Sequence, residues 1–148
     1  MRIAAIGAAV LVGLVASGEA LANKEVIATP DAPEAIGPYS QAIRVGDTLW
    51  LAGQIAIDPK TNALIEDTSI EAQTRQVLDN LKAVVQAAGM TMDDIVATSV
   101  FLADLGQFGA MNEVYATYFG DAPPARATVE VARLPRDVAI EISAIAAR

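Results

Sequence analysis

An arginine and an isolated glutamate stand near the C-terminal end of this chain. In the stretch PPARATVEVARLPRDVAIEISAIA, residues 123–146, Arg126 heads an alternating segment behind Pro123 and Pro124. Glu141 is set between Ile140 and Ile142. Arginine suits a planar carboxylate because its rigid fork donates two parallel hydrogen bonds. A glutamate in apolar surroundings has its pKa pushed upward by desolvation, more so if Glu130 lies opposite, and such a group can hold and activate water. A structural ion pair across a subunit interface uses the same two residues and remains the competing reading, since ion-pair networks perturb pKa as active sites do. Composition narrows the rest. The sequence has no histidine and no cysteine, so a Ser-His-Asp triad, an imidazole base, His- or Cys-ligated metals, disulfides and thiolate chemistry are all excluded.

A net charge of −8 with no basic run repels phosphate backbones and anionic lipid surfaces, which argues against nucleic-acid or membrane partners. The N-terminus reads differently from the rest. MRIAAIGAAVLVGLVASGEALA has a basic start at Arg2, an apolar run from Ile3 to Ala16, and a small-x-small ending at Ala20-Leu21-Ala22. The run is shorter than the roughly 20 residues that span a bilayer as a helix. Residues 1–22 are therefore expected to be a cleaved signal peptide, and 23–148 one exported domain, periplasmic or secreted.

The elements that must position Arg126 and Glu141 follow from pattern. KEVIAT (24–29) reads as a first strand, followed by a Pro- and Gly-punctuated loop carrying Tyr39. AIRV and TLWLA form a hairpin about Gly46-Asp47, and Gly53 permits a bend or a close backbone approach. DPKTNA (58–63) is a turn. Thr68-Ser69-Ile70-Glu71 has capping-box spacing, and Ile70, Val77, Leu78, Leu81, Val84, Val85 and Ala88 make one helical stripe ended by Gly89. Arg75, Asp79 and Lys82 are its solvated face. IVATSVFLA (95–103) is a buried strand, and a second helix is expected over 105–119 with Phe108, Met111, Tyr115 and Tyr118 on one side. Two last strands, 126–133 and 138–146, flank Pro135-Arg136. Read as a tight hairpin, they place Arg126, Thr128 and Glu130 on one face with Glu141, Ser143 and Ile145. The order implies an α+β fold: a mixed sheet with two helices on one face. The other face, half apolar, calls for a partner, most simply further copies in a closed ring.

Several blocks in this order, APEAIGPYSQAI, GQIAIDPKTN, EAQTRQVLDNLKAVVQAAG, TSVFLADLGQFGAMNEVYATYF and PPARATVEVARLPRDVAIEISAIA, resemble the Rid (YjgF-type, RidA subgroup) reactive-intermediate deaminases. The resemblance spans nearly all of 23–148. It implies a chorismate-mutase-like α+β fold and a homotrimer whose sheets form a central barrel, with clefts between subunits. It implies hydrolysis of 2-imino or enamine acids to 2-oxo acids and ammonia without cofactor or metal. By this resemblance Arg126 binds the substrate carboxylate, Glu141 positions water, and Tyr39, Gly53, Asn112 and Thr128 border the substrate. The chain departs from the pattern at Ala52, where Ser is common, at Thr128, where Cys is common, and at Ser143, which replaces a second acid. Two other functions stay open: a non-catalytic exported small-acid binder or holdase-like chaperone, and hydrolysis of another imine or carbamate-like substrate. N-terminal sequencing of the exported protein is expected to begin at Asn23; a chain still starting at Met1 rejects the cleaved signal.

Overall fold

The computed structural model describes residues 23–148; the segment assigned above to a signal peptide lies outside them. Strands β1 (Lys24–Ile27), β2 (Ala42–Val45) and β3 (Thr48–Gln54) form an antiparallel meander. Gly46, at φ 57°, makes the tight turn between β2 and β3. Two miniature strands, β4 (Ile57–Asp58) and β5 (Ala63–Leu64), pair across the predicted turn, which Asn62 closes in the left-handed region. Helix α1 (Ile70–Ala87), strand β6 (Ile95–Leu102), helix α2 (Phe108–Ala116), and strands β7 (Ala125–Glu130) and β8 (Ile140–Ala147) complete the chain.

All seven residues of the predicted α1 stripe are buried, packed on the inner face of the sheet. The helix stops where glycine lets it: Gly89 adopts φ 71°, and the Gly89 and Met90 amides close back on the carbonyls of Gln86 and Val85 in a Schellman turn. Its start differs by one residue from the capping-box expectation. Ser69, not Thr68, is the cap, accepting the Ala72 amide. Helix α2 is shorter than 105–119. Residues 105–107 form a separate 3₁₀ turn capped by Asp104, and regular α-helix begins at Phe108, as the poor propensity of Gly106 and Gly109 explains.

The sheet order is β1-β2-β3-β8-β6-β7. The helices pack on its inner face, where Leu49, Val100, Leu102, Ile140 and Ile142 are wholly buried with Val77, Leu81 and Met111. This is the expected mixed sheet with both helices on one face.

The last two strands do not pair as a hairpin. β6 lies between them, parallel to β7 and antiparallel to β8. Strand β7 follows α2 as a βαβ crossover, which joins parallel neighbours. Pro135–Asp137 forms a 3₁₀ turn in which Arg136 and Asp137 both take positive φ, so LPRD carries the chain past the end of β6 instead of folding it directly back. Arg126 is in register with Thr98, Thr128 with Val100 and Glu130 with Leu102, all on the inner face. Glu141 is in register with Phe101, on the outer face. The expected single surface holding all five polar groups does not exist.

The outer face is open. Val26, Trp50, Val96 and Val129 are 46–60% exposed, with Trp50 between Ile43 and Ile145 in register. Replacing the helix cap, Ser69→Ala, is expected to lower unfolding free energy by about 1 kcal/mol, while Thr68→Ala changes it by less than about 0.5 kcal/mol; urea titration of the two variants checks this.

Candidate active site

Arg126 sits at the beginning of edge strand β7, just beyond the loop stiffened by Pro123 and Pro124. Its guanidinium lies over two rings of α2, 4.5 Å from the Tyr115 centroid and 5.5 Å from that of Phe108. Such stacking is attractive because the ring face is negative. Tyr115 is itself fixed. Its hydroxyl is 2.7 Å from that of Thr98, and its ring centroid is 4.6 Å from that of Phe119. Burial raises the Tyr115 pKa, and the bond with Thr98, the charge of Arg126 and a hydrogen bond from its guanidinium oppose that shift without cancelling it. Among the described residues no carboxylate pairs with Arg126. The guanidinium opens onto a pocket of about 570 Å³ walled by Asn112, Tyr115, Phe119, Pro123 and Pro124.

Glu141 occupies a second pocket, about 300 Å³, with Ile36, Tyr39, Ala52, Gly53, Ile55 and Pro135. Its pKa is raised by desolvation. The repulsion expected from Glu130 is absent, because Glu130 lies on the other face, its carboxylate accepting the Leu105 amide at 2.8 Å. A small apolar cluster of Ile55, Ile57, Leu134 and Val138, with Phe101 against it, dries the neighbourhood of Glu141.

Gly53 explains how the carboxylate fits. Strand β3 shifts register against β8 between Leu51 and Gln54, so that two residues, Ala52 and Gly53, run opposite one, Ser143. In that bulge a Cβ on Gly53 would fall 2.0 Å from Glu141 Oε1 and 2.9 Å from its Cδ. Only glycine leaves room for the acid in this position.

The residues therefore gather as two half-sites. Asn112 joins Arg126, whereas Tyr39 and Gly53 join Glu141. Thr128 is one alternation along from Arg126, its hydroxyl buried and unpartnered among the described residues. Arg126 and Glu141 are two strands and three register positions apart, roughly 14 Å between backbones at ordinary sheet spacings, and they point to opposite sides of the sheet. The hairpin expectation placed the two on one face, and the interposed β6 puts them on opposite faces. One chain cannot bring both groups to one small molecule. The side chains overlooked as site elements were Tyr115 and Phe108; their spacing of seven along α2 marked a common helix face.

Comparisons with known proteins bear on the family and the fold. The profile of the family described as Endoribonuclease L-PSP matches residues 29–148. The chain belongs to this family, the Rid (YjgF-type) proteins. A RutC family protein of Pyrococcus horikoshii is 57% identical over 123 residues, covering 83% of this chain and 97% of its own. The Salmonella typhimurium protein named 2-iminobutanoate/2-iminopropanoate deaminase is 52% identical, covering 84% and 98%. The crystal structure of Escherichia coli TdcF with bound serine superposes with a TM-score of 0.79 at 43% identity, over 84% of this chain and 98% of that one.

Ala52, where the resemblance implied Ser, lines the Glu141 pocket and brings no hydroxyl to its wall. Ser143 is two residues along the same face, beside Ser99, and not at the pocket. Because the folded state holds the Glu141 pKa above its ordinary value of 4.5, ionising this group costs stability. The cost is absent below the ordinary value, where the acid is protonated folded or unfolded, and grows as pH rises through the folded pKa. Glu141→Gln is therefore expected to raise the melting temperature relative to the parent at pH 8 and to leave it unchanged at pH 3.5, in paired thermal scans.

Proposed function

We propose that this protein hydrolyses small 2-imino or enamine acids, such as 2-iminopropanoate and 2-iminobutanoate, to 2-oxo acids and ammonia. Arg126 holds the substrate carboxylate through its fork. Glu141 accepts a hydrogen bond from a water and directs its oxygen at C2. As the C2–O bond forms, Glu141 takes one proton from the water, and the C=N π pair moves to nitrogen, which receives that proton to become an amino group. The adduct then collapses: the hydroxyl proton passes by way of Glu141 to the amino nitrogen as the C=O bond forms, and the C2–N bond breaks with its pair leaving on ammonia. A carboxylate of raised pKa suits both directions of proton transfer. An imine carbon is already electrophilic, so orientation carries most of the catalysis.

The observation that carries this reading is the bareness of both groups. Among the described residues Arg126 faces a pocket with no acid partner, and Glu141 faces another with desolvation alone acting on its pKa. Each lacks what the substrate and water would supply. The site is completed between copies. Edge strand β7, with Arg126 near its end, abuts the open outer face of a neighbour, where Glu141 lies. Repeated around a ring, most simply of three copies, this contact covers Val26, Trp50, Val96 and Val129 and forms a cleft at each junction. Relatives named as 2-iminobutanoate/2-iminopropanoate deaminases, one 52% identical, support the substrate class. The family description as an endoribonuclease suits this chain poorly, since a net charge of −8 repels RNA. We place the reaction after export, on the strength of the N-terminal pattern.

The exposed apolar outer face favours one second reading, an exported holdase that grips unfolded chains. A coupled assay separates the two: an amino-acid oxidase generates the imine, and semicarbazide traps what remains. Micromolar protein is expected to suppress semicarbazone formation, and Arg126→Ala to lower kcat/KM about 10²–10³-fold, as loss of a bidentate charged contact requires. No acceleration, together with protection of a denatured client from aggregation, supports the holdase instead. Near-normal turnover by Arg126→Ala removes the clamp.

A further inference from the structure

An arginine that must bind a carboxylate needs to be held still without being satisfied in advance. The usual device, a neighbouring acid, competes with the substrate for the same N–H groups. This chain uses a different one. Tyr115 and Phe108, two helical turns apart on α2, support the guanidinium. A ring against the guanidinium draws on its charge without supplying an anion, and the Tyr115 hydroxyl, which also meets Arg126, takes up less of the fork than a carboxylate would. The Tyr115 ring is secured at both ends: Phe119 packs beside it one turn on, and its hydroxyl meets Thr98. Thr98 is the register partner of Arg126 on β6. Arginine, threonine and tyrosine thus close a loop through β7, β6 and α2. Both Thr98 and Tyr115 are at least 95% buried, so neither hydroxyl has water as a ready substitute partner.

We propose that Tyr115, anchored by Thr98, is a positioning residue: an aromatic seat that fixes the fork of Arg126 toward the pocket and leaves it free for an incoming carboxylate. Phe108 flanks the seat and acts more weakly, being farther from the charge. The proposal rests on the carboxylate-clamp reading above. It extends that reading to residues that need not touch substrate.

The seat acts before and after the chemical step alike, so its loss should weaken binding and not turnover. Tyr115→Leu is expected to raise KM for 2-iminopropanoate about tenfold, with kcat within about twofold. Tyr115→Phe keeps the ring and should recover most of the loss, leaving KM raised about two- to fourfold. Thr98→Val should match Tyr115→Phe, and the two together should cost no more than either alone. In an Arg126→Ala background, Tyr115→Leu should leave KM unchanged. An undiminished effect in that background, or a fall in kcat at constant KM, overturns the seat. Should Tyr115→Leu not fold, the Phe and Val variants and their double mutant decide the matter through the same additivity test.

An activity-free measurement separates this proposal from the deaminase reading. In ¹⁵N–¹H spectra of the full assembly, the Arg126 Nε–Hε resonance should show a ring-current displacement from the exposed arginines, and Tyr115→Leu should remove most of it, leaving the smaller part due to Phe108. A parent protein without deaminase activity, yet with this displacement, would refute the reaction and keep the seat. An Arg126 resonance indifferent to Tyr115→Leu would refute the seat whatever the activity.

Discussion

The arrangement depends on β6 pairing with two strands at once. Its parallel pairing with β7 follows from the α2 crossover, and its antiparallel pairing with β8 from the return past its far end. These two registers fix which side of the sheet each side chain takes. Thr98 aligns with Arg126 on the side of the helices, and Phe101 aligns with Glu141 on the other. A strand alternates with period two, so no adjustment of rotamer can move either group through the sheet. The separation of cation and acid is topological. On the function proposed above, a second copy unites them, and the same contact would cover the exposed apolar side chains of the outer face.

Each half-site is built by a different economy of contacts. On the outer side, space is created by omission: the β3 bulge and the absent side chain of Gly53 let the Glu141 carboxyl lie against backbone. Apolar neighbours then withhold solvation and raise its pKa. On the inner side, space is filled. Aromatic rings from α2, one of them anchored by the Thr98 hydroxyl, lie against Arg126 and attract its charge without an anionic partner. One group is prepared by desolvation and the other by a π surface. Neither has an ion-pair partner among the described residues.

The rest of the fold holds these halves at a fixed distance. Asn80, buried on α1, donates to the carbonyls of Ile55 and Ile57 and so ties the segment after β3 to the helix. Gln41 binds the carbonyls of Thr29, Ala32 and Pro33 and fastens the loop that leads to Tyr39. Gln73 accepts the Ala139 amide at the entrance to β8. Each is a buried polar side chain satisfying backbone groups that a loop would otherwise leave unpaired. Pocket walls made from loops can be held accurately in this way.

Much of this was legible in the residues themselves. The α1 stripe, the Gly89 stop, the β2–β3 hairpin and the alternation of Val138, Ile140, Ile142 and Ala144 against Glu141 and Ser143 are local patterns, and local patterns are set by the periods of helix and strand. The candidate pair was visible for the same reason, since an isolated acid in an apolar strand is anomalous wherever that strand packs. The Thr68 cap and the longer second helix were misplaced by a residue or a turn, where competing caps and weak propensity leave the choice to packing. What the sequence could not decide was which strands are neighbours. The LPRD stretch looks like a hairpin tip, and only the insertion of β6 between β7 and β8 shows that it is a passage. Pairing between distant segments depends on the burial of the whole inner face, a property no window of sequence contains, and it alone set Arg126 and Glu141 back to back.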